Sequence, residues 1–114
     1  MRKTKTLSEV CSVLEVSRRA VQGYENAGLV KATERNKYGH LLYDEEAQRR
    51  IKKIRLLQQL GFKIKEIKEI MDAPDEVVTE AIRTQICRCK MELAQKKEII
   101  HRAEALIAEL TKNQ

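Results

Sequence analysis

Tryptophan is absent from this 114-residue sequence, and aromatic residues make up only 4% of it, against 35% charged residues. So few large apolar side chains make a thin core, which indicates a long, solvated helix somewhere in the chain. The three cysteines are an odd number, so they do not form a disulfide framework and they fit a reducing compartment. No apolar run reaches the roughly 18 residues of a membrane span, and no signal peptide is visible, so we expect a soluble, cytoplasmic protein.

The net charge is distributed unevenly along the chain. The whole net charge of +6 lies in residues 1–73, because residues 74–114 carry equal numbers of acidic and basic side chains. A basic excess in one part of a chain indicates a polyanionic partner for that part. The single proline, Pro74, marks the boundary, since proline begins a helix well and continues one badly. We therefore expect two domains, residues 1–73 and residues 74–114.

A short first helix is predicted from Thr6 or Ser8, either of which is a good N-cap, to about Leu14. Cys11 lies on the apolar face of this helix, where an unpaired cysteine is most simply a small buried hydrophobe. A tight turn at residues 15–16 leads into a second, basic helix. Two short helices joined in this way form a helix-turn-helix.

The second helix begins after Ser17, whose hydroxyl accepts a hydrogen bond from a free backbone N–H, and ends at Gly28. Ala20, Val21 and Tyr24 share its apolar face at helical spacing. The opposite face carries two guanidinium groups and two amides, on Arg18, Arg19, Gln22 and Asn26. In a major groove arginine reads guanine, and glutamine or asparagine reads adenine, so this face predicts recognition of DNA. Taken alone, the pattern also fits an amphipathic surface helix with solvated charges.

A hairpin, or wing, is predicted from Lys31 to Tyr43, with residues 36–39 near its tip. Its basic and hydrogen-bonding side chains, which suit a position along DNA phosphates, are Arg35, Asn36, Lys37 and Tyr38. The alternative is a surface hairpin that covers the core with Leu42 and Tyr43. Both descriptions can hold together, because neighbouring strand residues point to opposite faces.

Two further helices are predicted to complete the first domain. Asp44 caps the first of them, which ends at Gly61, and the second runs from Phe62 to Met71. Their inward-facing residues are Ile51, Ile54, Leu57 and Leu60 in the first, and Ile64, Ile67, Ile70 and Met71 in the second.

An uninterrupted helix is predicted from Asp75 to about Thr111, because nothing in this stretch breaks it. Two series of residues recur along it every seven positions, spaced alternately four and three apart, which is the pattern of a coiled-coil seam. Lys96 lies at one position of this seam, where a polar residue can fix the register of the two helices. The other seam residues are Ile82, Ile86, Cys89, Leu93, Ile100, Ala103, Ile107 and Leu110. About 36 helical residues extend about 54 Å, too far for the rest of the chain to cover, so we expect a homodimer. The pattern leaves open whether the two helices are parallel or antiparallel.

Four motifs occur here in order. They are LSEVCSVLEVS at residues 7–17, YENAGLV at residues 24–30, the Tyr38-Gly39 wing that reaches Tyr43 before Asp44-Glu45, and LLQQLGFKIKEIKEIM at residues 56–71. In order, spacing and chemistry the chain resembles the MerR family of transcriptional regulators. The resemblance implies a mainly α fold, in which a winged helix-turn-helix DNA-binding domain with four helices precedes a dimerisation helix in an antiparallel coiled coil. It also implies that the homodimer binds an inverted-repeat promoter with a long spacer, often bending and untwisting the DNA so that RNA polymerase can use it.

The chain departs from the family pattern at two places. Where the family usually has Arg-Tyr-Tyr-Glu this chain has Gln22-Gly23-Tyr24-Glu25, and where the family has Gly-Tyr-Arg it has Gly39-His40-Leu41. The resemblance implies that two arginines which contact phosphates in the family are absent here. Each missing contact should weaken binding and lower its salt dependence by roughly one unit. Gly23 costs the helix about 1 kcal/mol relative to alanine, and we interpret it as allowing close approach of the backbone to DNA. The expected DNA contacts are Arg18, Arg19, Gln22, Tyr24, Arg35, Lys37, Tyr38 and His40.

The resemblance also bears on metal binding. Metal sensors of this family hold their ion with cysteines at the start of the long helix and in a loop after it, and this sequence ends at Gln114 without that loop. Cys87 and Cys89 point about 200° apart on a helix, so they do not grip one ion together. We therefore expect a short form with no effector domain, no metal and no cofactor, and a thiol sensor at Cys87 is the alternative.

Two other classes of protein stay open from the sequence. An architectural, excisionase-like protein that bends DNA shares the winged helix but seldom carries a long dimerising helix. A coiled-coil interaction scaffold with incidental charge is disfavoured by the uneven charge of the two predicted domains. An enzyme is not expected, because the sequence shows no Ser/His/Asp set, no phosphate loop and no paired-carboxylate pocket.

Overall fold

The computed structural model describes residues 4–112, which form helices and one small sheet. In chain order the elements are β1 (Lys5–Thr6), α1 (Leu7–Val13), α2 (Arg18–Asn26), β2 (Glu34–Arg35), β3 (Leu41–Tyr43), α3 (Glu45–Leu60), α4 (Ile64–Ile70) and α5 (Asp75–Lys112). The chain divides into two compact units, Met1–Val78 and Thr79–Gln114. Within residues 4–112 no helix is long and apolar enough to cross a membrane.

Side-chain caps decide where the first two helices begin. The Thr6 hydroxyl accepts from the Glu9 N–H at 3.3 Å, and the Glu9 carboxylate accepts from the Thr6 N–H at 2.9 Å. The bond from the Thr6 backbone is the main reason that the pKa of Glu9 is lowered. The Ser17 hydroxyl accepts from the Ala20 N–H at 3.0 Å. Each bond satisfies a donor that the first turn leaves free, so α1 and α2 begin where the sequence predicts.

The three strands form one antiparallel sheet in the order β1-β3-β2. Leu42 in the central strand pairs with Thr6 on one side and with Glu34 on the other. β2 and β3 are the wing predicted within Lys31–Tyr43. The sequence predicts no strand before α1, only a short basic stretch at residues 1–6, of which residues 1–3 lie outside the described part of the chain. A two-residue strand shows no periodicity, and its partner is distant in the sequence.

α3 and α4 follow the wing. Asp44 caps α3 as predicted, since its Oδ1 accepts from the Ala47 N–H at 2.8 Å. The helix ends at Gly61, whose φ of 116° lies in the left-handed region that favours glycine. α4 begins at Ile64, later than predicted, because Lys63 is still extended.

The core of the first unit takes apolar side chains from α1 to α4 and from β3. Its fully buried members are Val10, Val21, Tyr24, Tyr43, Ile51, Ile54 and Ile67. Leu42 is buried as well as its neighbour Tyr43, so both faces of β3 are covered. The Tyr43 hydroxyl donates to Glu25 in α2 at 2.6 Å, and burial together with this bond raises the pKa of Tyr43. Cys11 is only half-buried and is therefore more exposed than predicted.

Arg50 connects three parts of the first unit. Its Nε donates to the Leu29 carbonyl just after α2, and its terminal nitrogens donate to the Asp72 carboxylate at 3.1 and 3.3 Å. The two bonds to the Asp72 carboxylate and the positive charge of Arg50 lower the pKa of Asp72. The chain that follows α2 is thereby tied to α3 and to the segment after α4, which helps to hold α2 in place.

α5 confirms the predicted long helix, although residues 113–114 lie outside the described part of the chain. Its predicted seam is uncovered in the single chain, where Leu93 is 57% exposed and Ile107 is 60% exposed. Full burial of such a side chain contributes roughly 1.5–3 kcal/mol, so this face favours a partner. A mainly α fold with a small wing sheet and a long C-terminal helix is the fold class that the sequence predicts.

Candidate nucleic-acid interface

The exposed face of α2 carries three of the side chains predicted to contact DNA. Arg18, Arg19 and Gln22 are exposed, whereas Val21 on the other face is fully buried. The three polar groups therefore stand on one side of a nine-residue helix whose other side is anchored in the core. Two guanidinium groups and an amide in this arrangement match the hydrogen-bonding groups of base edges in a major groove.

Tyr24 lies in the core and not on the exposed face. It is 1% exposed, and its hydroxyl donates to Gln58 Oε1 in α3 at 2.6 Å. Burial raises the pKa of Tyr24, and the nearby positive charge of Arg55 acts in the opposite direction. The structure therefore gives Tyr24 a packing role where the family pattern implied a DNA contact. Its helical spacing from Val21 places it on the apolar face, and that local signal agrees with the structure.

The turn of the wing is held by its own polar groups. Asn36 Oδ1 accepts from the backbone N–H groups of Tyr38 at 2.9 Å and of His40 at 3.0 Å. The Arg35 guanidinium donates to the Gly39 carbonyl at 2.7 Å. Asparagine favours turns because its side chain bonds nearby backbone donors in this way. The tip predicted at residues 36–39 is thus a turn stabilised from within.

The wing presents a cation, a phenol and an imidazole next to one another. Lys37 Nζ lies 5.1 Å from the centre of the Tyr38 ring, within the range of a cation–π contact. The ring centres of Tyr38 and His40 are 6.4 Å apart, and their planes are tilted by 43°. Tyr38 is 72% exposed. Cationic and hydrogen-bonding groups of these kinds position proteins on the DNA backbone.

A groove of about 430 Å³ joins the wing to the start of α2. It is lined by Thr6, Leu7, Ser8, Arg18, Arg35, Gly39, His40 and Leu41. Arg18 from α2 and two wing residues, Arg35 and His40, therefore border one concave surface. The place of residues 6–8 beside the wing was not predictable from the sequence, because it depends on the pairing of β1 with β3. Ser8, predicted above as a possible N-cap, is one of these residues.

The three cysteines differ in exposure. Cys87 is exposed, whereas Cys11 and Cys89 are half-buried, and none of the three forms a disulfide. In the part of the chain that the structure describes, no group of three or more His, Cys, Asp or Glu side chains is placed to hold a metal ion.

A basic helix seated in a helix-turn-helix, flanked by a wing and followed by two supporting helices, defines a winged helix-turn-helix DNA-binding protein. The family model described as MerR HTH family regulatory protein matches residues 5–74 of this chain. The chain belongs to the MerR family, a non-enzymatic family of DNA-binding transcriptional regulators. The resemblance inferred from the sequence is thereby confirmed, and with it the expectation that the chain is not an enzyme.

Three similar proteins illustrate the match. The nodulation protein NolA of Bradyrhizobium diazoefficiens is 33% identical over 94 residues, which are 82% of this chain and 39% of NolA. The chain thus spans about two fifths of the length of its NolA relatives. The crystal structure of a MerR-family transcriptional regulator from Bacillus cereus is 27% identical with a TM-score of 0.67, and the match covers 96% of this chain and 81% of that one. HiNmlR, a MerR family regulator lacking the sensor domain and bound to promoter DNA, shares the fold at 20% identity and a TM-score of 0.75, over 96% of this chain and 91% of that one.

Proposed function

We propose that this chain acts as a homodimer on an inverted-repeat promoter, which it bends and untwists, so that RNA polymerase uses that promoter differently. Such a protein acts on DNA in the cytoplasm. The proposal rests on the observation that Arg18 from α2 and Arg35 and His40 from the wing line the same groove. A recognition helix and a wing that share a cationic surface are suited to contact a major groove and its flanking phosphates together.

Different parts of this surface are assigned different contacts. The exposed face of α2, with Arg18, Arg19 and Gln22, is proposed to read base edges, where a good bidentate pair contributes about 1–3 kcal/mol of discrimination. The wing is proposed to bind the DNA backbone through Arg35, Lys37, Tyr38 and His40. Tyr24 is assigned no DNA contact, because it lies in the core and its hydroxyl donates to Gln58 in α3.

Dimerisation through α5 would supply the two-fold symmetry that an inverted repeat requires. The proposed seam is Ile82, Ile86, Cys89, Leu93, Ile100, Ala103, Ile107 and Leu110. A second copy with the same repeat is the simplest cover for its exposed apolar residues. The family resemblance supports an antiparallel pair. DNA binding is thereby assigned to residues 1–73 and dimerisation to residues 74–114.

Selection from genomic DNA tests the proposal. The purified protein is mixed with sheared DNA of its host at about 150 mM salt, close to physiological ionic strength, and the retained fragments are sequenced. Recovery of one inverted repeat inside a promoter spacer supports the proposal and identifies the target. Diffuse recovery that vanishes with added salt contradicts it and favours an architectural DNA-bending protein, while no recovery at all favours an interaction scaffold.

Arg18→Ala and Arg19→Ala are each expected to weaken binding to the recovered operator by about 1–3 kcal/mol where a bidentate base contact is lost. Fluorescence anisotropy at constant salt measures the affinity. Arg102→Ala removes an arginine from the exposed surface of α5 and is the matched control, expected to bind like the wild type. Wild-type affinity in both α2 variants would contradict the role assigned to α2.

Leu93→Lys combined with Ile100→Lys is expected to produce monomers, because it places two charges in the apolar seam. Sedimentation velocity measures the oligomeric state. Met91→Lys combined with Gln95→Lys adds the same charge to α5 outside the seam, and this control should remain dimeric. If the seam variant also stays dimeric, the interface lies elsewhere.

A further inference from the structure

A second concave surface lies between the end of α1 and α3. A depression of about 240 Å³ is lined there by Leu14, Glu15, Lys52, Arg55, Leu56 and Gln59. A neighbouring depression of about 220 Å³ shares Leu14 and Lys52 with it, and its other lining residues are Glu45, Gln48 and Arg49. Because the two depressions share residues, they form one elongated surface, the α1–α3 groove. The function proposed above uses α2, the wing and α5, and it gives this groove no role.

Aliphatic side chains are exposed along the α1–α3 groove. Leu56 is 63% exposed, Leu14 is half-buried, and Val13, which precedes Leu14 at the end of α1, is 60% exposed. An apolar side chain that docks against Leu14 and Leu56 leaves water, which favours its binding. Each depression is smaller than the roughly 300–1,000 Å³ of a small-molecule site. The elongated surface therefore suits the successive side chains of a polypeptide segment better than one compact ligand.

Positive charge predominates along the same groove. The cations that line it are Arg49, Lys52 and Arg55, against the carboxylates of Glu15 and Glu45. Arg55 Nε is a buried side-chain nitrogen without a hydrogen-bond partner among the residues that the structure describes. Buried donors in proteins are normally paired. A carboxylate that binds a guanidinium side-on bonds two of its nitrogens at once, so a carboxylate from outside the chain would give Arg55 Nε its acceptor.

We propose that the α1–α3 groove docks a short acidic segment of another protein, whose apolar side chain packs against Leu14 and Leu56 while a neighbouring carboxylate binds Arg55. The DNA backbone is the other polyanion to consider. Phosphates are contacted by polar and cationic groups, and exposed aliphatic side chains such as Val13 and Leu56 add nothing to such a contact. The combination of apolar and cationic groups therefore favours a protein segment. The inference goes beyond the proposed function and depends on neither a promoter nor a dimer.

The test titrates the full ¹⁵N-labelled chain with a synthetic peptide in which two leucines are flanked by aspartates and glutamates. NMR spectra are recorded at about 150 mM salt, which screens contacts that depend on charge alone. The backbone signals of the α1–α3 groove and the Nε–H signal of Arg55 are expected to shift until they saturate, and those of α2 and the wing to stay in place. One control peptide has serines for the leucines, and another has amides for the carboxylates. Each control is expected to bind roughly tenfold more weakly, because it lacks one of the two kinds of contact.

Two variants of the groove and two matched controls assign the contacts. Leu56→Gln and Arg55→Gln are each expected to weaken binding of the acidic leucine peptide roughly tenfold. Met91→Gln and Arg102→Gln remove an exposed apolar and an exposed cationic side chain from α5 and should bind the peptide like the wild type. All four variants are expected to keep the wild-type affinity for a fluorescein-labelled DNA duplex of mixed sequence, measured by anisotropy. Circular dichroism verifies that each is folded.

The outcomes separate this inference from the proposed function. Absence of a saturable shift, shifts confined to α2 and the wing, or equal binding of the peptide without leucines overturns the docking site. Weaker DNA binding by Leu56→Gln or Arg55→Gln overturns it as well and assigns the groove to the DNA interface. If the groove signals of the peptide-free protein move on dilution, a second copy of the chain covers the groove, and the inference is also wrong. The expected peptide response, combined with failure to recover an inverted repeat, supports the docking site and contradicts only the proposed function.

Discussion

Two glycines, one within α2 and one just after it, allow a matched test of backbone conformation. Gly23 lies inside α2, and a methyl group on its Cα would meet no atom within 4 Å. Gly28 has the same free space, but its φ is +77°, in the left-handed region. Crowding is therefore absent at both positions, and the backbone conformation is the difference that decides the effect of a substitution.

Alanine at the two positions is expected to have opposite effects on the free energy of unfolding. Gly23→Ala should raise it by about 0.5–1 kcal/mol, because glycine in a helix interior is less favourable than alanine by this amount. Gly28→Ala should lower it by about 1–2 kcal/mol, because the left-handed conformation brings a Cβ too close to the following carbonyl oxygen. A change of 1 kcal/mol in a domain of this size corresponds to about 4–8 °C, so the two melting temperatures should move in opposite directions.

Urea denaturation followed by circular dichroism measures both changes, at one protein concentration because the stability of a dimer depends on it. A Gly23→Ala variant that is neutral or less stable than the wild type would refute the reasoning, and so would a fully stable Gly28→Ala variant. DNA affinity of the same Gly23→Ala protein tests a separate interpretation. Higher stability with weaker DNA binding is the result expected if the DNA backbone approaches α2 closely at Gly23.

Two further predictions concern bonds that stabilise the first unit. Tyr24→Phe removes the hydrogen bond to Gln58 and should lower the free energy of unfolding by about 0.5–1.5 kcal/mol in thermal denaturation, with unchanged DNA affinity of the folded protein. Weaker DNA binding by this folded variant would contradict a role of the hydroxyl in packing alone. Because Arg50 lowers the pKa of Asp72, the ionised carboxylate adds stability above its unfolded pKa of about 3.9, and this stability is lost as the pH falls through the lower folded pKa. Asp72→Asn should therefore have a lower free energy of unfolding at neutral pH, and this free energy should depend less on pH below about pH 4. A dependence on pH identical to that of the wild type would exclude the ion pair.

The boundaries of most helices in this chain are predictable because they depend on local chemistry. Ser17 and Asp44 each accept from a backbone N–H three residues on, and Gly61 takes the left-handed conformation that ends α3. These interactions join neighbours in the sequence, so they can be inferred without knowledge of the fold. The strand β1 is the contrary case, since its two residues become a strand only through their distant partner β3.

The sequence by itself determined the helices of this protein, the basic character of residues 1–73 and the seven-residue repeat of α5, because each depends on composition or on spacing along the chain. Only the tertiary structure decided which side chains share a surface. It brought Arg18, Arg35 and His40 around one groove with residues 6–8, and it buried Tyr24 where the family pattern implied a DNA contact. The physical reason is that contacts between distant residues depend on how all the elements pack against one another, and no local pattern records that packing.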